Sequence, residues 1–310
     1  MALLIMDNAM DGVRAFNRFF TRFVGALDTR FLGTELTLGE ARLLYEIAQA
    51  EAPLAADLRA ALGVNAGHVS RVLRRFEERG WITRSPAAGD ARRRPIALTP
   101  AGRDVFADLD SRQRNAVATT LDGLAPAQQR DLVGALTLAR ILLGDPSTRR
   151  FALRPFRPGD MGQIAARQSL IYRETYGWGR QIEVIEGEVT SAFLRNFKPG
   201  REQCWIAEME GVMAGSVFLT DEGDGLSRLR LLYVEPFARR LGIGNALVSA
   251  CVGFARETGY RRMTLWTHTV LESARRIYAA HGFRIVDVHT HEEFDKPVQS
   301  ETWELDLAAG

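Results

Sequence analysis

Apolar side chains recur at helical spacing through the first half of the chain. Residues 9–24 repeat them every three or four positions, which predicts an amphipathic helix. Residues 37–40 have the spacing of a capping box, which marks the start of a second helix. Two shorter helical patterns follow at residues 55–62 and 66–79, each ended by a glycine. Two helices joined by a short glycine-containing turn predict a helix-turn-helix.

The second helix of this pair has two different faces. One face is apolar and is expected to pack inward: Val69, Val72, Leu73 and Phe76. The other face, together with the N-cap residue, is polar and basic: Asn65, His68, Ser70, Arg71, Arg74 and Arg75. Such a face suits contacts with base edges and phosphates, so we predict that these six residues bind DNA. A surface helix with solvated arginines is the alternative interpretation.

A basic hairpin is expected directly after this helix. Residues 81–83 and 96–99 have the composition of strands, and the loop between them contains Arg92, Arg93 and Arg94. Residues 65–94 together carry eight arginines against three acidic residues. This local positive charge is typical of nucleic-acid binding, so the hairpin is predicted to be a wing that reaches an adjacent groove.

From residue 151 the pattern changes to alternating strands and helices. Strands are predicted near residues 151–155, 204–208, 212–219, 228–234, 263–267, 284–291 and 301–307. Helices are predicted near residues 160–176, 182–195, 243–258 and 271–281. Gly144 and the Pro-containing polar residues 145–150 after it have the composition of a linker, which we place at 145–150. The expected fold is therefore α+β multidomain: an α-rich winged helix-turn-helix domain at 1–144, then an α/β domain at 151–310.

The turn at residues 239–244, Arg-Arg-Leu-Gly-Ile-Gly, carries the strongest chemical signal. It follows an apolar strand-like run at 229–234 and precedes an apolar helical run at 246–255. Backbone N–H groups and the helix dipole at such a helix start bind anions, above all pyrophosphate. Gly242 and Gly244 lack Cβ atoms, so a phosphate can approach the main chain closely.

Composition and charge narrow the classes of function. Residues 1–150 carry 21 arginines against 17 acidic residues, whereas residues 151–310 carry 19 basic and 21 acidic residues. Two cysteines, Cys204 and Cys251, provide no disulfide framework, and the histidines show no metal-ligand spacing, so no metal is expected. The apolar run at residues 3–6 is too short for a membrane span or secretory leader. We therefore expect no membrane partner and a cytoplasmic location.

The glycine turn and a downstream segment resemble two motifs of the GNAT N-acetyltransferase superfamily. Residues 233–247 resemble motif A, Gln/Arg-x-x-Gly-x-Gly/Ala, with Arg239, Gly242 and Gly244 at the matching positions. Residues 274–283 resemble motif B, Ala-x-x-hydrophobic-Tyr-x-x-x-Gly-Phe. The resemblance covers nearly all of residues 151–307 and implies the GNAT fold with acetyl-CoA as cofactor. The residues expected to hold acetyl-CoA are Leu232, Val234, Arg239, Arg240, Leu241, Gly242, Ile243, Gly244, Asn245 and Ser273.

The same resemblance implies how acetyl transfer proceeds. Tyr278 matches the tyrosine that protonates the sulfur of coenzyme A. Motif B often has an asparagine seven residues before this tyrosine, and here that position is Leu271. The general base stays open among Glu208, Glu210, Glu235, His268 and a water chain. Three aromatic residues are expected either to form an acceptor pocket or to pack helices together: Tyr172, Tyr176 and Trp178.

The first half is similar to the MarR family of regulators over roughly residues 9–143. The similarity rests on Leu73-x-x-Phe76-x-x-x-Gly80-Trp81-Ile82, on Asp90-x-Arg92, and on Leu98-Thr99-x-x-Gly102. It implies a winged helix-turn-helix in which Asp90 supports the wing and Arg92 also contacts DNA. It also implies a homodimer, for which the apolar faces of residues 9–24 and 131–143 are suitable surfaces.

The whole chain resembles the bacterial MarR–GNAT fusion proteins. The predicted function is therefore a regulator that binds a double-stranded DNA operator and an N-acetyltransferase that acts on a small-molecule or protein amine. It is expected at the nucleoid when bound to DNA. Two alternatives remain: a regulator whose GNAT domain is a catalytically weak acyl-CoA or small-molecule sensor, and an enzyme whose helix-turn-helix serves only for dimerisation.

Overall fold

A computed structural model describes residues 2–85, 93–294 and 297–308, with side chains from residue 8 onward. Its contacts divide the chain into two compact units, Met1–Pro126 and Ala127–Gly310. The predicted domain limits at residues 144 and 151 stay a prediction. Among the described residues, none of the helices is both long enough and apolar enough to cross a membrane.

The first unit has five helices and a short hairpin within the described residues. The helices are α1 (Ala2–Phe23), α2 (Leu38–Gln49), α3 (Ala55–Leu62), α4 (Ala66–Glu78) and α5 (Pro100–Asp122). The strands are β1 (Ile82–Arg84) and β2 (Ile96–Leu98), which pair antiparallel. The structure thus contains the predicted helix pair followed by the base of the predicted wing. Asp90 and Arg92 lie outside the described residues.

The local signals that predicted these helices correspond to bonds in the structure. The Thr37 side chain accepts the N–H of Glu40, and the Glu40 carboxylate accepts the N–H of Thr37, which completes the capping box of α2. Asn65 Oδ1 accepts the N–H of His68 at 2.8 Å and begins α4. The apolar residues of α4 are buried in one core with those of α2, as predicted.

The Thr99–Gly102 signature has a packing cause. Thr99 Oγ1 accepts the N–H of Gly102 at 3.0 Å and donates to the Gly80 carbonyl at 2.6 Å, so it ties the start of α5 to the end of α4. A Cβ atom at Gly102 would lie 1.9 Å from the carbonyl oxygen of Trp81. Only glycine fits this position, because the backbone carbonyl has no room to retreat.

The second unit contains the predicted alternation of strands and helices. Its helices are α6 (Pro126–Leu142), which starts at the boundary, α7 (Asp160–Tyr176), α8 (Gln181–Asn196), α9 (Ile243–Glu257) and α10 (Glu272–Ala280). Its strands are β3 (Ala152–Pro155), β4 (Gln203–Met209), β5 (Val212–Gly223), β6 (Leu226–Val234), β7 (Arg262–His268), β8 (Arg284–His291) and β9 (Val298–Asp306). Each predicted strand and helix of this half is present within a few residues of its expected limits.

These strands form one mixed sheet in the order β3-β4-β5-β6-β7-β9-β8. All neighbours pair antiparallel except β6 and β7, which are parallel. The parallel register covers only Leu226–Leu229 against Arg262–Leu265 and then stops. The C-terminal ends of β6 and β7 therefore separate, and unpaired backbone at this point is available to a ligand.

A bulge in β6 lies where the two strands separate. The register against β5 shifts between Ser216 and Phe218, and Leu231 has a φ of 48°. After the bulge, Leu232 packs in the core formed with α9, whereas Tyr233 packs in the core formed with α7 and α8. The bulge thereby sets which side chains of β6 face each side of the sheet.

Candidate active site

A cleft of about 860 Å³ opens between the separated ends of β6 and β7. Its walls come from α7, α8, β6, the turn before α9, β7 and the start of α10. Most of the residues predicted to hold a cofactor or an acceptor line this cleft. The fold therefore brings together motifs that are up to about a hundred residues apart in sequence.

The glycine turn opens α9, as expected. Gly242 has a φ of 82°, which L side chains rarely adopt, and no atom lies within 4 Å of the position where its Cβ would be. The following N–H groups belong to the first turn of α9 and have no partner within the helix. The open space over Gly242 and these donors fit the pyrophosphate of coenzyme A.

Gly244 lines the cleft and also lies in closely packed surroundings. A Cβ atom at this position would lie 2.9 Å from Cδ1 of Ile277 and 3.6 Å from Cγ2 of Val234. The residue is buried, so its small size lets α9 pack against α10 and β6. Gly244 thus serves helix packing, while Gly242 provides the backbone conformation and the open approach.

The predicted cofactor residues are grouped around this turn. Those that line the cleft are Leu232, Val234, Arg239, Arg240, Gly242, Ile243, Gly244, Asn245 and Ser273. Leu241 is not among the cleft residues and packs against the core formed with α9. Arg239 and Arg240 are exposed and make no ion pair within the part of the chain that the structure describes. They are therefore free to meet phosphate oxygens.

Tyr278 lies on α10 and faces the cleft. Its side chain is only 4% exposed, and its ring packs against Phe283 and Trp303 at centroid distances of 5.9 and 6.2 Å. Burial, reinforced by Tyr172 and Cys251, raises the pKa of its phenol above the usual value. The hydroxyl therefore keeps its proton at neutral pH and can donate it.

Three of the carboxylates considered as general base are held by arginines. Arg167 binds Glu235 through two parallel bonds of 2.7 and 2.8 Å. Glu208 pairs with Arg154, and Glu210 pairs with Arg140 at 2.9 Å. None of the three lines the cleft. Glu235 thus fixes the start of the glycine turn to α7.

His268 lines the cleft but is a weak base in this position. Its Nε2 lies 3.3 Å from Nε2 of His291, and its ring meets the edges of Trp178 and Trp266 at centroid distances of 4.7 and 4.5 Å. Burial, with smaller contributions from His291 and His289, lowers the pKa of His268 to about 4. The imidazole is neutral above that pH.

Glu186 was missed by sequence reasoning. It lies on α8, is 2% exposed and lines the cleft, and its Oε2 has no hydrogen-bond partner within the described residues. Burial raises the pKa of its carboxyl to about 8, although Arg230 opposes the shift. The helical spacing could have predicted its burial, because Glu186 lies on the same face of α8 as buried Ile182, Thr190 and Phe193. A carboxylate on the inward face of a helix is a candidate for function.

Two arginines of β6 also point into the cleft. Arg228 and Arg230 flank Leu229, which packs on the α9 side, so alternation turns both toward α7 and α8. Burial, and then the charge of Arg228, lowers the pKa of Arg230. Arg230 makes no ion pair within the described part of the chain. Arg228 lies 3.4 Å from Glu222, and its Nε has no hydrogen-bond partner in that part.

The predicted aromatic residues lie together in the cleft. Trp178 stacks on Phe294 at 4.4 Å and contacts Tyr172 at 4.9 Å and Tyr176 at 5.5 Å. Gln168 donates a hydrogen bond to the Tyr172 hydroxyl at 3.0 Å. All of these residues line the cleft and also pack α7 against the start of α8, so both expected roles are compatible.

The predicted DNA-contacting residues form an exposed face on α4. Asn65, Ser70, Arg71 and Arg74 are exposed, and His68 is half-buried. Arg71 donates to the Gly67 carbonyl, and Arg74 lies 3.5 Å from Glu78. Arg75 pairs with buried Glu40 and so also holds α4 against α2. At the base of the wing, Arg93 and Arg94 are exposed, and Arg94 donates to the Arg84 carbonyl at 3.0 Å.

Family models identify both halves of the chain. The MarR family matches residues 34–93, and the acetyltransferase (GNAT) family matches residues 169–283. The second match contains the glycine turn, Tyr278 and Glu186. GNAT acetyltransferases use acetyl-CoA, so the predicted enzyme class, an acetyl-CoA-dependent N-acetyltransferase, is confirmed. The predicted fold class is confirmed as well.

Individual proteins are similar to part of the chain. Human N-acetyltransferase 8 is 28% identical over 166 residues, which cover 52% of this chain and 73% of that protein. Mycothiol acetyltransferase of Mycolicibacterium vanbaalenii is 34% identical over 93 residues, 30% of either chain. A GNAT-family acetyltransferase of Staphylococcus aureus Mu50 superposes with a TM-score of 0.43 at 17% identity, over 51% of this chain and 99% of that chain. The chain thus carries a MarR-family domain at residues 34–93 and, after it, a GNAT acetyltransferase domain at residues 169–283.

Proposed function

We propose that this chain is a DNA-binding regulator that also transfers the acetyl group of acetyl-CoA to an amine. The observation that supports the enzymatic half best is the cleft between β6 and β7. It combines an anion-binding turn, a proton donor and an unpartnered carboxylate in one space. The DNA-binding half is supported by the exposed basic face of α4.

The turn before α9 is proposed to hold the pyrophosphate of acetyl-CoA. The N–H groups of the first turn of α9 follow Gly242, over which the space is open, and Arg239 and Arg240 are exposed cationic donors in the same turn. Arg276 also lines the cleft and is exposed, and it lies 3.7 Å from Glu272. These residues would bind the phosphates of acetyl-CoA, and its acetyl group would then lie in the inner part of the cleft.

The inner cleft is proposed to move two protons. Glu186 accepts the proton of the acceptor ammonium at Oε2, because its raised pKa makes the carboxylate a stronger base than an exposed glutamate. Acetyl-CoA supplies a thioester, whose C–S bond breaks as the amine nitrogen bonds to the acetyl carbon. Tyr278 donates its hydroxyl proton to the leaving sulfur, and the second proton of the nitrogen, released as the amide forms, returns to the phenolate; the raised pKa of Tyr278 favours this return.

Calorimetric titration of acetyl-CoA into the full-length protein tests the cofactor site. We expect micromolar binding in the wild type and a loss of about tenfold or more in Arg239→Ala/Arg240→Ala, because two charge-assisted contacts disappear. Arg149→Ala/Arg150→Ala removes the same charge from an exposed segment and is the matched control. Equal affinity in all three proteins would contradict the proposed pyrophosphate site.

The DNA-binding form is proposed to be a homodimer. On α1 the rings of Phe16 and Phe20 stack at 5.4 Å and those of Phe19 and Phe23 at 5.7 Å, yet each side chain is 40–55% exposed. Exposed aromatic side chains grouped along one helix are typical of a surface that another chain covers. A second copy, related by a two-fold axis, would cover the same stripe on both protomers.

Sedimentation equilibrium tests the dimer. We expect twice the chain mass of 34.5 kDa for the wild type, and the chain mass for Phe19→Asp/Phe23→Asp. Asn17→Asp changes an exposed residue of the same helix and is expected to stay dimeric. A monomeric wild type at micromolar concentration would contradict the proposal.

Selection of genomic DNA fragments at low salt tests the regulatory half. We expect enrichment of near-palindromic sites, with log K falling linearly with log salt because phosphate contacts release counterions. No retained fragments would favour an enzyme whose helix-turn-helix serves only for dimerisation.

A catalytically weak sensor is the second candidate for the GNAT domain. The observation that favours it is Leu271, which occupies the N-cap of α10 and makes no side-chain cap bond there. Acetyl-CoA binding without acetyl transfer to any amine would support this candidate, and turnover would exclude it.

A further inference from the structure

The cleft contains an acidic and a basic side chain, buried Glu186 and half-buried Arg230, that do not pair with each other. The carboxylate of Glu186 and the guanidinium of Arg230 interact electrostatically, but they are not within ion-pair distance. Glu186 Oε2 has no hydrogen-bond partner among the described residues, whereas the neighbouring Arg228 lies 3.4 Å from Glu222 through its Nε atom. Both arginines and the glutamate line the same cavity.

Such an arrangement is unfavourable in the empty cleft. Burying a charge destabilises a protein unless the charge is paired and hydrogen-bonded. A direct Glu186–Arg230 ion pair would relieve the penalty, yet the fold holds the two groups apart on α8 and β6. A ligand that carries both an ammonium and a carboxylate would satisfy each group separately.

The charges also exclude other classes of amine. A lysine side chain or a polyamine would bring only positive charge toward Arg228 and Arg230, and like charges repel each other. A simple alkylamine would pair with Glu186 but leave Arg230 without an ion-pair partner among the described residues. A zwitterion avoids both penalties.

The rest of the wall around these charges is apolar and aromatic. It is formed mainly by Tyr172, Tyr176, Trp178, Ile182, Ile185 and Phe294. Aromatic walls favour aliphatic or aromatic groups over polar ones, because they offer area for dispersion and few hydrogen-bond partners.

We infer that the acceptor is an amino acid with an apolar or aromatic side chain. Glu186 binds its ammonium, Arg230 with Arg228 binds its carboxylate, and the aromatic wall holds the side chain. This assignment rests on the proposed acetyl transfer, for which it names the substrate class. Glu186 then acts twice, because the carboxylate that binds the ammonium also accepts its proton.

Matched ligands test the assignment in the coenzyme-A-loaded protein. The panel is L-phenylalanine, phenethylamine, which lacks the carboxylate, and 3-phenylpropanoate, which lacks the amine; L-leucine and isoamylamine form a second pair. Binding is measured by calorimetry and by the fluorescence of Trp178 and Trp266, which line the cleft. We expect each amino acid to bind at least about tenfold more tightly than its one-charge analogues, because both buried charges are then paired. Release of the coenzyme A thiol measures turnover separately.

Arg230→Gln is the decisive variant. It should remove the preference for L-phenylalanine over phenethylamine, while Arg195→Gln, an exposed change on α8, should leave the preference intact. Arg230→Lys keeps the charge and should retain part of the preference, which guards against a folding defect in the glutamine variant.

The outcomes separate the two proposals. Acetylation of phenethylamine at least as efficient as that of L-phenylalanine, unchanged in Arg230→Gln, would overturn the amino-acid assignment and leave acetyl transfer standing. Preferential binding of the amino acids without acetylation of any amine would support the assignment and overturn the enzymatic proposal. Absence of preference in both pairs would also overturn the assignment.

Discussion

Charged side chains differ between α4 and the cleft in their exposure and in whether they have partners. On α4 the arginines are exposed, and several already have partners: Arg74 lies beside Glu78, and Arg75 pairs with Glu40. In the cleft, Glu186 and Arg230 are largely buried and have no ion-pair partner within the described residues. The charges on α4 need no ligand to stabilise them, whereas a ligand that pairs with the charged groups of the cleft would stabilise them.

The difference reflects the cost of desolvation. Exposed arginines remain hydrated, so they can meet any phosphate backbone with an affinity that depends on salt and little on shape. Buried charges have lost their hydration, so they favour a ligand whose complementary groups are placed correctly. The α4 surface therefore suits a long polyanion, and the cleft suits a small, specifically charged molecule.

Replacement of Tyr278 by Phe gives the largest expected effect in the cleft. The phenylalanine ring keeps the packing against Phe283 and Trp303, but the proton donor is lost. We expect turnover to fall by about 10²–10⁴-fold, with acetyl-CoA affinity unchanged. Thiol release and calorimetry measure the two quantities, and a wild-type rate would remove Tyr278 from the mechanism.

Glu186→Gln tests whether an unpartnered buried carboxylate is a base. We expect turnover to fall by about 10²-fold, because the amide cannot accept a proton. In the wild type, activity should rise with pH toward a plateau above about pH 8, where the carboxyl is ionised. The variant should lack this rise, and the rates are measured from pH 6 to 9.5. The same rise in both proteins would assign it to another group.

The same variant tests the cost of the buried charge. Because the pKa of Glu186 is raised from 4.5 to about 8 in the folded protein, the folded state holds the proton more tightly than the unfolded state. Its contribution to the free energy of unfolding therefore falls as pH rises from about 4.5 to 8. Relative to wild type, Glu186→Gln should gain about 1–3 kcal/mol between pH 5 and 9, measured by urea unfolding. A pH-independent difference would contradict burial of an ionised carboxylate.

The smallest expected effects come from replacing two arginines of α4, Arg71 and Arg75, which differ in whether they also stabilise the fold. Arg71→Ala should weaken binding to all DNA sequences a few-fold and reduce the salt slope by about 1, with thermal stability unchanged. Arg75→Ala should also lower stability, by about 1 kcal/mol or less, because buried Glu40 loses a half-exposed partner. DNA titration at several salt concentrations and thermal unfolding measure both variants. Equal stability losses would mean that the Glu40 pair has no structural role.

The secondary structure and the turn chemistry were accessible from sequence because their causes are local. The capping box at Thr37, the N-cap at Asn65 and the glycine at 242 each act within one turn of chain. The motif spacing also placed the glycine turn at the start of a helix and Tyr278 on the next helix, where the structure has them. Helices and strands could be predicted as well, because their apolar residues repeat with periods of 3.6 and 2 residues along the chain.

Tertiary structure decided which charges are buried and which have partners. Glu235 and Glu186 are both glutamates in the second half, yet Arg167 from α7 binds the first, and the second faces the cleft without a hydrogen-bond partner for Oε2 among the described residues. Gly244 gained a packing role only once α10 lay against α9. These properties depend on contacts between segments far apart in sequence, and desolvation is set by the whole surrounding shell of atoms rather than by neighbours along the chain.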